Sequence, residues 1–269
     1  MIDSPILFLD SGIGGIPYCC HFQKRNPGES IVYLADREHF PYGNREKNEL
    51  VEILIGLVGK IIRAINPKIA VIACNTATIA ALSELREHYP YLPFVGTVPA
   101  VKPAALTSKT GKIGLLGTEL TVRQPYIREL AAQFGDGEIL GIAAPELVEF
   151  VESRFLSASA EEKRDAVRGY LNRFRAAGVD ALVLGCTHFL FLLEDFRRES
   201  APDITVFDSI EGISRRIESL ITKSAVPGNP VQNRLILTGS EVPEPSWKSW
   251  AERLDSHQCC FDLSLLEDL

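Results

Sequence analysis

Short apolar runs rich in β-branched residues alternate along this chain with longer stretches of helical period, a rhythm that only a parallel sheet flanked by helices accommodates well. The runs that read as strands are Ile6–Leu9, Ile31–Ala35, Ile69–Ala73, Phe94–Gly96, Ile113–Leu116, Glu138–Ile142, Ala181–Gly185, Ile204–Phe207 and Leu235–Thr238. Most are separated by one helix with clear punctuation. In Glu46–Ile65 the apolar positions Leu50, Ile53, Leu54, Leu57, Val58, Ile61 and Ile62 form one stripe, and Asn66-Pro67 ends it. Ser159, followed by Glu161 and Glu162, opens another helix that runs through Val167, Leu171 and Phe174 toward Gly178.

A weak internal repeat narrows the architecture further. Ile69-Ala-Val-Ile-Ala-Cys-Asn-Thr76 and Ala181-Leu-Val-Leu-Gly-Cys-Thr-His188 share one layout, a buried strand ending in Cys. Leu9-Asp-Ser-Gly12 and Leu116-Gly-Thr118 likewise both run from a strand into a small-hydroxyl turn. The expected fold is therefore α/β with two pseudo-symmetric lobes, each a mostly parallel sheet flanked by helices, and an active site in the cleft between them. Pro99 and Pro103, with the return of strand-helix alternation after Asp208, place residues 1–97 plus 208–269 in the first lobe and 98–207 in the second.

Composition excludes several function classes. The net charge is −7, with no cluster of Lys and Arg, so neither nucleic acid nor an anionic membrane is an expected partner, and a small molecule is. Met1-Ile2-Asp3-Ser4-Pro5 has no basic start and Asp10 interrupts the apolar run that follows, which reads as a cytoplasmic protein. The six cysteines form no CxxC pair, and a chain of 269 residues does not need disulfide staples. The adjacent pairs Cys19-Cys20 and Cys259-Cys260 read as small apolar packing residues.

Cys74 and Cys186 read differently. A strand that ends in Cys before a helix start brings the thiol to unpaired amides and the positive end of the helix dipole, where an anion is favoured. A thiolate is a base as well as a nucleophile, and two of them can remove and return a proton on opposite sides of one carbon. Either Cys alone would read as an apolar residue closing a strand. Ser11, Asn75, Thr76 and Thr187 suit an α-carboxylate; without the repeat, each would read first as an N-cap that satisfies orphan helix amides. Gly12-Ile-Gly-Gly15 resembles a nucleotide-binding turn only weakly, because Pro17 stands where a third Gly belongs. A zinc site from Cys74, Cys186 and His188 lacks a fourth ligand.

Four segments, Asp10-Ser-Gly-Ile-Gly-Gly15, Pro41-Tyr-Gly43, Cys74-Asn-Thr-Ala77 and Gly185-Cys-Thr-His188, resemble in order and separation the signature segments of the glutamate racemase family. The Gly96-Thr-Val-Pro-Ala-Val-Lys-Pro103 stretch resembles the family's entry into its second lobe. The resemblance implies interconversion of L- and D-glutamate without pyridoxal phosphate or metal, with D-glutamate going to peptidoglycan, and a homodimer. It implies that Cys74 and Cys186 are the paired bases and that Asp10, Glu152 and His188 tune them or steady the substrate ammonium. It implies substrate contacts at Asp10, Ser11, Pro41, Tyr42, Gly43, Asn75, Thr76, Thr187 and His188, with Thr118 and Thr121 as additions. An aspartate or hydantoin racemase, or a binding protein without activity, shares most of these features; Pro41-Tyr-Gly43 favours glutamate. Leu190 stands where the family usually has Pro, which removes a fixed φ beside Cys186 and puts that turn's geometry in question.

Overall fold

The computed structural model describes residues 4–125, 129, 133, 137–221, 233–239, 244–255 and 261–266. The chain divides into two compact units, Met1–Thr97 with Ile210–Leu269, and Val98–Ser209.

In the first unit the described elements are β1 (Ile6–Asp10), α1 (Ile16–Arg25), β2 (Ile31–Ala35), α2 (Lys47–Ile65), β3 (Ile69–Ile72), α3 (Asn75–His88) and β4 (Phe94–Gly96). After the second unit the chain returns to the first at Ile210. In the second unit they are α4 (Val101–Thr107), β5 (Lys112–Gly117), α5 (Glu119–Arg123), β6 (Glu138–Ala143), α6 (Pro145–Ser153), α7 (Ala160–Ala176), β7 (Ala181–Gly185), a 3-10 turn at Thr187–Leu192, α8 (Leu193–Ser200) and β8 (Thr205–Phe207). The first unit is completed by α9 (Ile210–Leu220), β9 (Asn233–Leu237), α10 (Pro245–Asp255) and β10 (Phe261–Leu265).

Both sheets are parallel throughout. The first has the order β10-β9-β2-β1-β3-β4 and the second β6-β5-β7-β8. Read from the second strand of each unit, β2-β1-β3-β4 and β6-β5-β7-β8 are the same order, so the repeat seen in the sequence is a repeat of topology. Cys74 and Cys186 follow its third strand in both cases. β10 was not expected from the sequence, and Cys259 and Cys260 lie outside the described residues. Cys19 is buried and Cys20 partly so; with Cys74 and Cys186 they are thiols in no disulfide.

Burial on both faces explains the unbroken apolar runs: every residue of β1, β2, β3 and β7 is buried. The stripe of α2 at Leu50, Leu54, Leu57, Val58 and Ile61 packs on Leu7, Leu9, Leu34 and Ile72. Each such leucine stabilises the unit by roughly 1.5–3 kcal/mol. In the second unit Val101 and Ala104 of α4 cover Ile113, Leu115, Ala181 and Val183.

Helix ends follow their sequence signals. Asn66 stops α2 in the left-handed region, at φ 44°. Ser159 and Glu162 form a reciprocal capping box at the start of α7. Its far end closes on Gly178 at φ 75°, with Gly178 N–H donating to Arg175 and Val179 N–H to Phe174, the left-handed closure that glycine makes without steric cost.

Candidate functional site

In the first unit, Asp10 ends β1 and the Leu9↔Ile72 register brings it beside the end of β3, where Ala73 N–H donates to Leu9 O at 2.7 Å. Cys74 follows at once as the N-cap of α3, with extended backbone and no side-chain capping bond. The start of α1 approaches equally closely: a Cβ on Gly15 would lie 2.7 Å from the Ala73 Cβ, so only glycine fits against the residue that precedes the thiol. Gly15 N–H donates to Tyr33 Oη, which itself donates to Gly12 O.

Asp10 is fully buried and accepts from Ser11 N–H at 2.6 Å and from the Ser11 hydroxyl at 3.3 Å. Tyr42 sits in a short 3-10 turn with Gly43, after a cis Phe40–Pro41 peptide. Its burial, the negative charge and hydrogen bond of Asp36, and the charges of Cys74 and Asp10 hold the phenol proton well above the usual tyrosine range. Tyr42 therefore stays a neutral donor within electrostatic reach of Cys74 and Asp10. Asn75 and Thr76, the first residues of α3, are buried, and both amide atoms of Asn75 lack a protein partner. A buried primary amide left unpaired costs free energy that a hydrogen-bonding ligand would recover.

In the second unit Cys186 follows β7 as the N-cap of the 3-10 turn. Its Sγ lies 3.8 Å from His188 Nδ1, and His188 Nε2 lies 2.6 Å from Glu152 Oε1 near the end of α6. Burial of the ring opposes its charge, but the hydrogen bonds and negative charges of Cys186 and Glu152 outweigh that and hold the imidazole well above the ordinary histidine range. Glu152 is no solvated surface carboxylate: its side chain is one-fifth exposed, at 20%. Leu190 is buried within the turn, and its carbonyl accepts from Leu193 N–H as the 3-10 turn passes directly into α8.

Capping explains fewer hydroxyls than the sequence allowed. The N-caps at these sites are Gly15, Cys74 and Cys186, so Ser11, Asn75, Thr76 and Thr187 do not cap. Thr118 does: its Oγ1 accepts from Thr121 N–H at 3.3 Å and lies 3.0 Å from the Thr121 hydroxyl. Thr118 and Thr121 thus form a pair of their own at the end of β5, and Thr187 is buried at the head of the 3-10 turn.

One buried carboxylate escaped sequence reasoning. Asp36, directly after β2, is fully buried and accepts from Tyr42 Oη at 2.7 Å, Thr238 Oγ1 at 2.6 Å and His39 Nδ1 at 2.9 Å. It fixes the phenol that faces Cys74. Its place at the carboxyl end of a strand, like that of Asp10, is the signal that could have found it. Asp36→Asn would turn acceptor capacity into donors pointing at donors and is expected to destabilise the chain by roughly 2–3 kcal/mol. Denaturant unfolding measures this, and an unchanged midpoint would contradict the network. Among the described residues no cluster of three or more His, Cys, Asp or Glu side chains could hold a metal ion, and no helix is long and apolar enough to cross a membrane.

Comparison with known proteins identifies the family. Residues 23–213 match the family model described as Asp/Glu/Hydantoin racemase. Glutamate racemase of Sphingopyxis alaskensis is 39% identical over 246 residues, covering 90% of this chain and 91% of that protein. Glutamate racemase of Treponema pallidum is 40% identical over 210 residues, 78% of each. The crystal structure of Escherichia coli glutamate racemase, in complex with L-glutamate and the activator UDP-MurNAc-ala, superposes with a TM-score of 0.83 at 29% identity over 98% of each chain. By the match of its family model and of these relatives, the chain belongs to the Asp/Glu/hydantoin racemase family.

Proposed function

We propose that this chain is a glutamate racemase, interconverting L- and D-glutamate by a cofactor-independent two-thiol mechanism and supplying D-glutamate for peptidoglycan. The observation that carries the reading is the repeated topology: in both units a thiol follows the third strand of the same strand order, at the head of a helix or 3-10 turn. Glutamate is favoured over aspartate by relatives that are glutamate racemases at 39% and 40% identity.

Inversion at the α-carbon requires that the proton leave one face and a proton return on the other. Cys74 and Cys186 are assigned to those steps, exchanging roles with direction. Asp10, beside Cys74, and His188 with Glu152, beside Cys186, are assigned to keep the thiols in the protonation states each step needs. Ser11, Asn75, Thr76 and Thr187 are assigned to the α-carboxylate, where hydrogen bonds to the developing carbanion's carboxyl strengthen in the transition state. The unpartnered Asn75 amide supports that assignment. Tyr42 and Gly43 are assigned to substrate contact on the family resemblance, as is Pro41. A homodimer acting in the cytoplasm completes the proposal; described cysteines in no disulfide suit a reducing compartment.

The test is direct. Purified protein with no added pyridoxal phosphate is incubated with L-glutamate or L-aspartate, and the enantiomers are separated by chiral chromatography. D-glutamate should accumulate toward an equal mixture while aspartate stays L. Inversion of aspartate alone, or dependence on added pyridoxal phosphate, would refute the proposal.

A further inference from the structure

The turn that carries Cys186 and His188 is a 3-10 helix, a conformation with poorer hydrogen-bond geometry than an α-helix and one that rarely runs beyond a few residues. Leu190 within it presets no backbone angle, as a proline would. Something else must hold the imidazole against Glu152. Residues three apart in a 3-10 helix eclipse one another, so His188 and Phe191 project from the same side of the turn. Glu152 and Phe155 are also three apart, at the end of α6 and in the turn beyond it. The two spacings match: His188 meets Glu152 at 2.6 Å, and Phe191 meets Phe155 with ring centroids 5.2 Å apart at an interplanar angle of 56°. Phe155 is itself fixed, since it is buried and Lys163 Nζ of α7 lies over its ring, 4.2 Å from the centroid.

We infer that the Phe155–Phe191 contact is a positioning device that sets the register of the Cys186–His188 turn against Glu152. Tilted aromatic pairs have a preferred geometry, so the contact defines an orientation as well as a separation. One rung of the match is polar and carries the chemistry, and the next is apolar and holds it in place. Phe155 and Phe191 are assigned to act on the chemistry through His188. The inference rests on the proposed role of Cys186, His188 and Glu152.

Removing the Phe191 ring should let the turn shift, and small displacements of an acid-base group lower the chemical step more than substrate binding. For Phe191→Ala, kcat with glutamate is expected to fall roughly tenfold while KM stays within about twofold. The His188 imidazole, followed by NMR, should titrate at lower pH than in the wild-type chain, because Glu152 and Cys186, which face the ring, are no longer held to it. Phe191→Tyr, which keeps the ring, should restore both readouts. Should Phe191→Ala not fold, Phe155→Leu, which keeps apolar volume and loses the ring pair, should show the same two changes in smaller measure. Wild-type kcat and wild-type His188 titration in Phe191→Ala or Phe155→Leu would overturn the inference, as would failure of Phe191→Tyr to restore either. Glu152→Gln measured alongside separates the two levels. If it retains full kcat, the role proposed for His188 and Glu152 falls; if it is impaired and the Phe variants are not, only the positioning inference falls.

Discussion

Cys74→Ser and Cys186→Ser should each lower glutamate racemisation by roughly 10²–10⁴-fold, the usual contribution of a positioned acid or base. Serine keeps the size of the side chain and can still occupy the N-cap of α3 or of the 3-10 turn, so the fold is expected to survive the change. What it removes is an ionisable group able to take an α-proton near neutral pH. The two variants should differ in a revealing way. In each, the surviving thiol can still remove and return the α-proton on its own side, so in deuterated water one enantiomer should exchange its α-hydrogen without inverting, and the favoured enantiomer should switch between variants. Polarimetry with mass spectrometry reads both effects. Wild-type racemisation in both variants would end the two-thiol account.

The repeat itself was legible because it lies in local sequence: a buried strand, a Cys and a polar helix start, written twice. The α/β class was legible for a similar reason, since parallel strands buried on both faces read as continuous apolar runs. β10 shows the limit. Phe261-Asp-Leu-Ser-Leu265 alternates apolar and polar residues, and it lies at the sheet's edge, where a search for unbroken apolar runs passes over it. The Asp36 network shows another. Thr238 is 202 residues from Asp36 and reaches it only because β9 pairs with β2, a long-range contact that no local pattern reports. Glu152 lies between these cases. Its helix, α6, opens on Pro145, but nothing in that helix's sequence distinguishes a carboxylate aimed at His188 from one aimed at water. Whether Ser11, Asn75, Thr76 and Thr187 cap was left open by the sequence because a small polar residue near a helix start is compatible with both cap and first-turn positions, and which it occupies depends on where the preceding strand ends.

The Glu152–His188 contact yields the second large effect, and its sign follows from the ring's surroundings. Burial alone would push the imidazole toward neutrality, but the Cys186 and Glu152 partners reverse this, so the folded ring binds its proton more tightly than the unfolded one. A histidine in the unfolded chain titrates near about 6.5. The contact's contribution to stability is therefore fully present below that pH and is lost as the pH rises through the higher folded value. Activity should follow the same proton, because a charged ring directs its Nδ1–H toward Cys186 Sγ while Nε2–H is held by Glu152. Glu152→Gln isolates the charge: the amide oxygen still accepts from Nε2 and keeps the ring oriented, while the carboxylate that sustains its proton is gone. We expect kcat to fall roughly 10²-fold at neutral pH. The descending limb of the rate profile should move to lower pH. Relative to wild type, the variant's deficit in melting temperature should be largest on the acid side of neutrality and shrink as pH rises. Rate profiles and melting curves recorded over the same buffers test both, and a Gln variant whose descending limb coincides with wild type would show that Glu152 does not set the charge of His188.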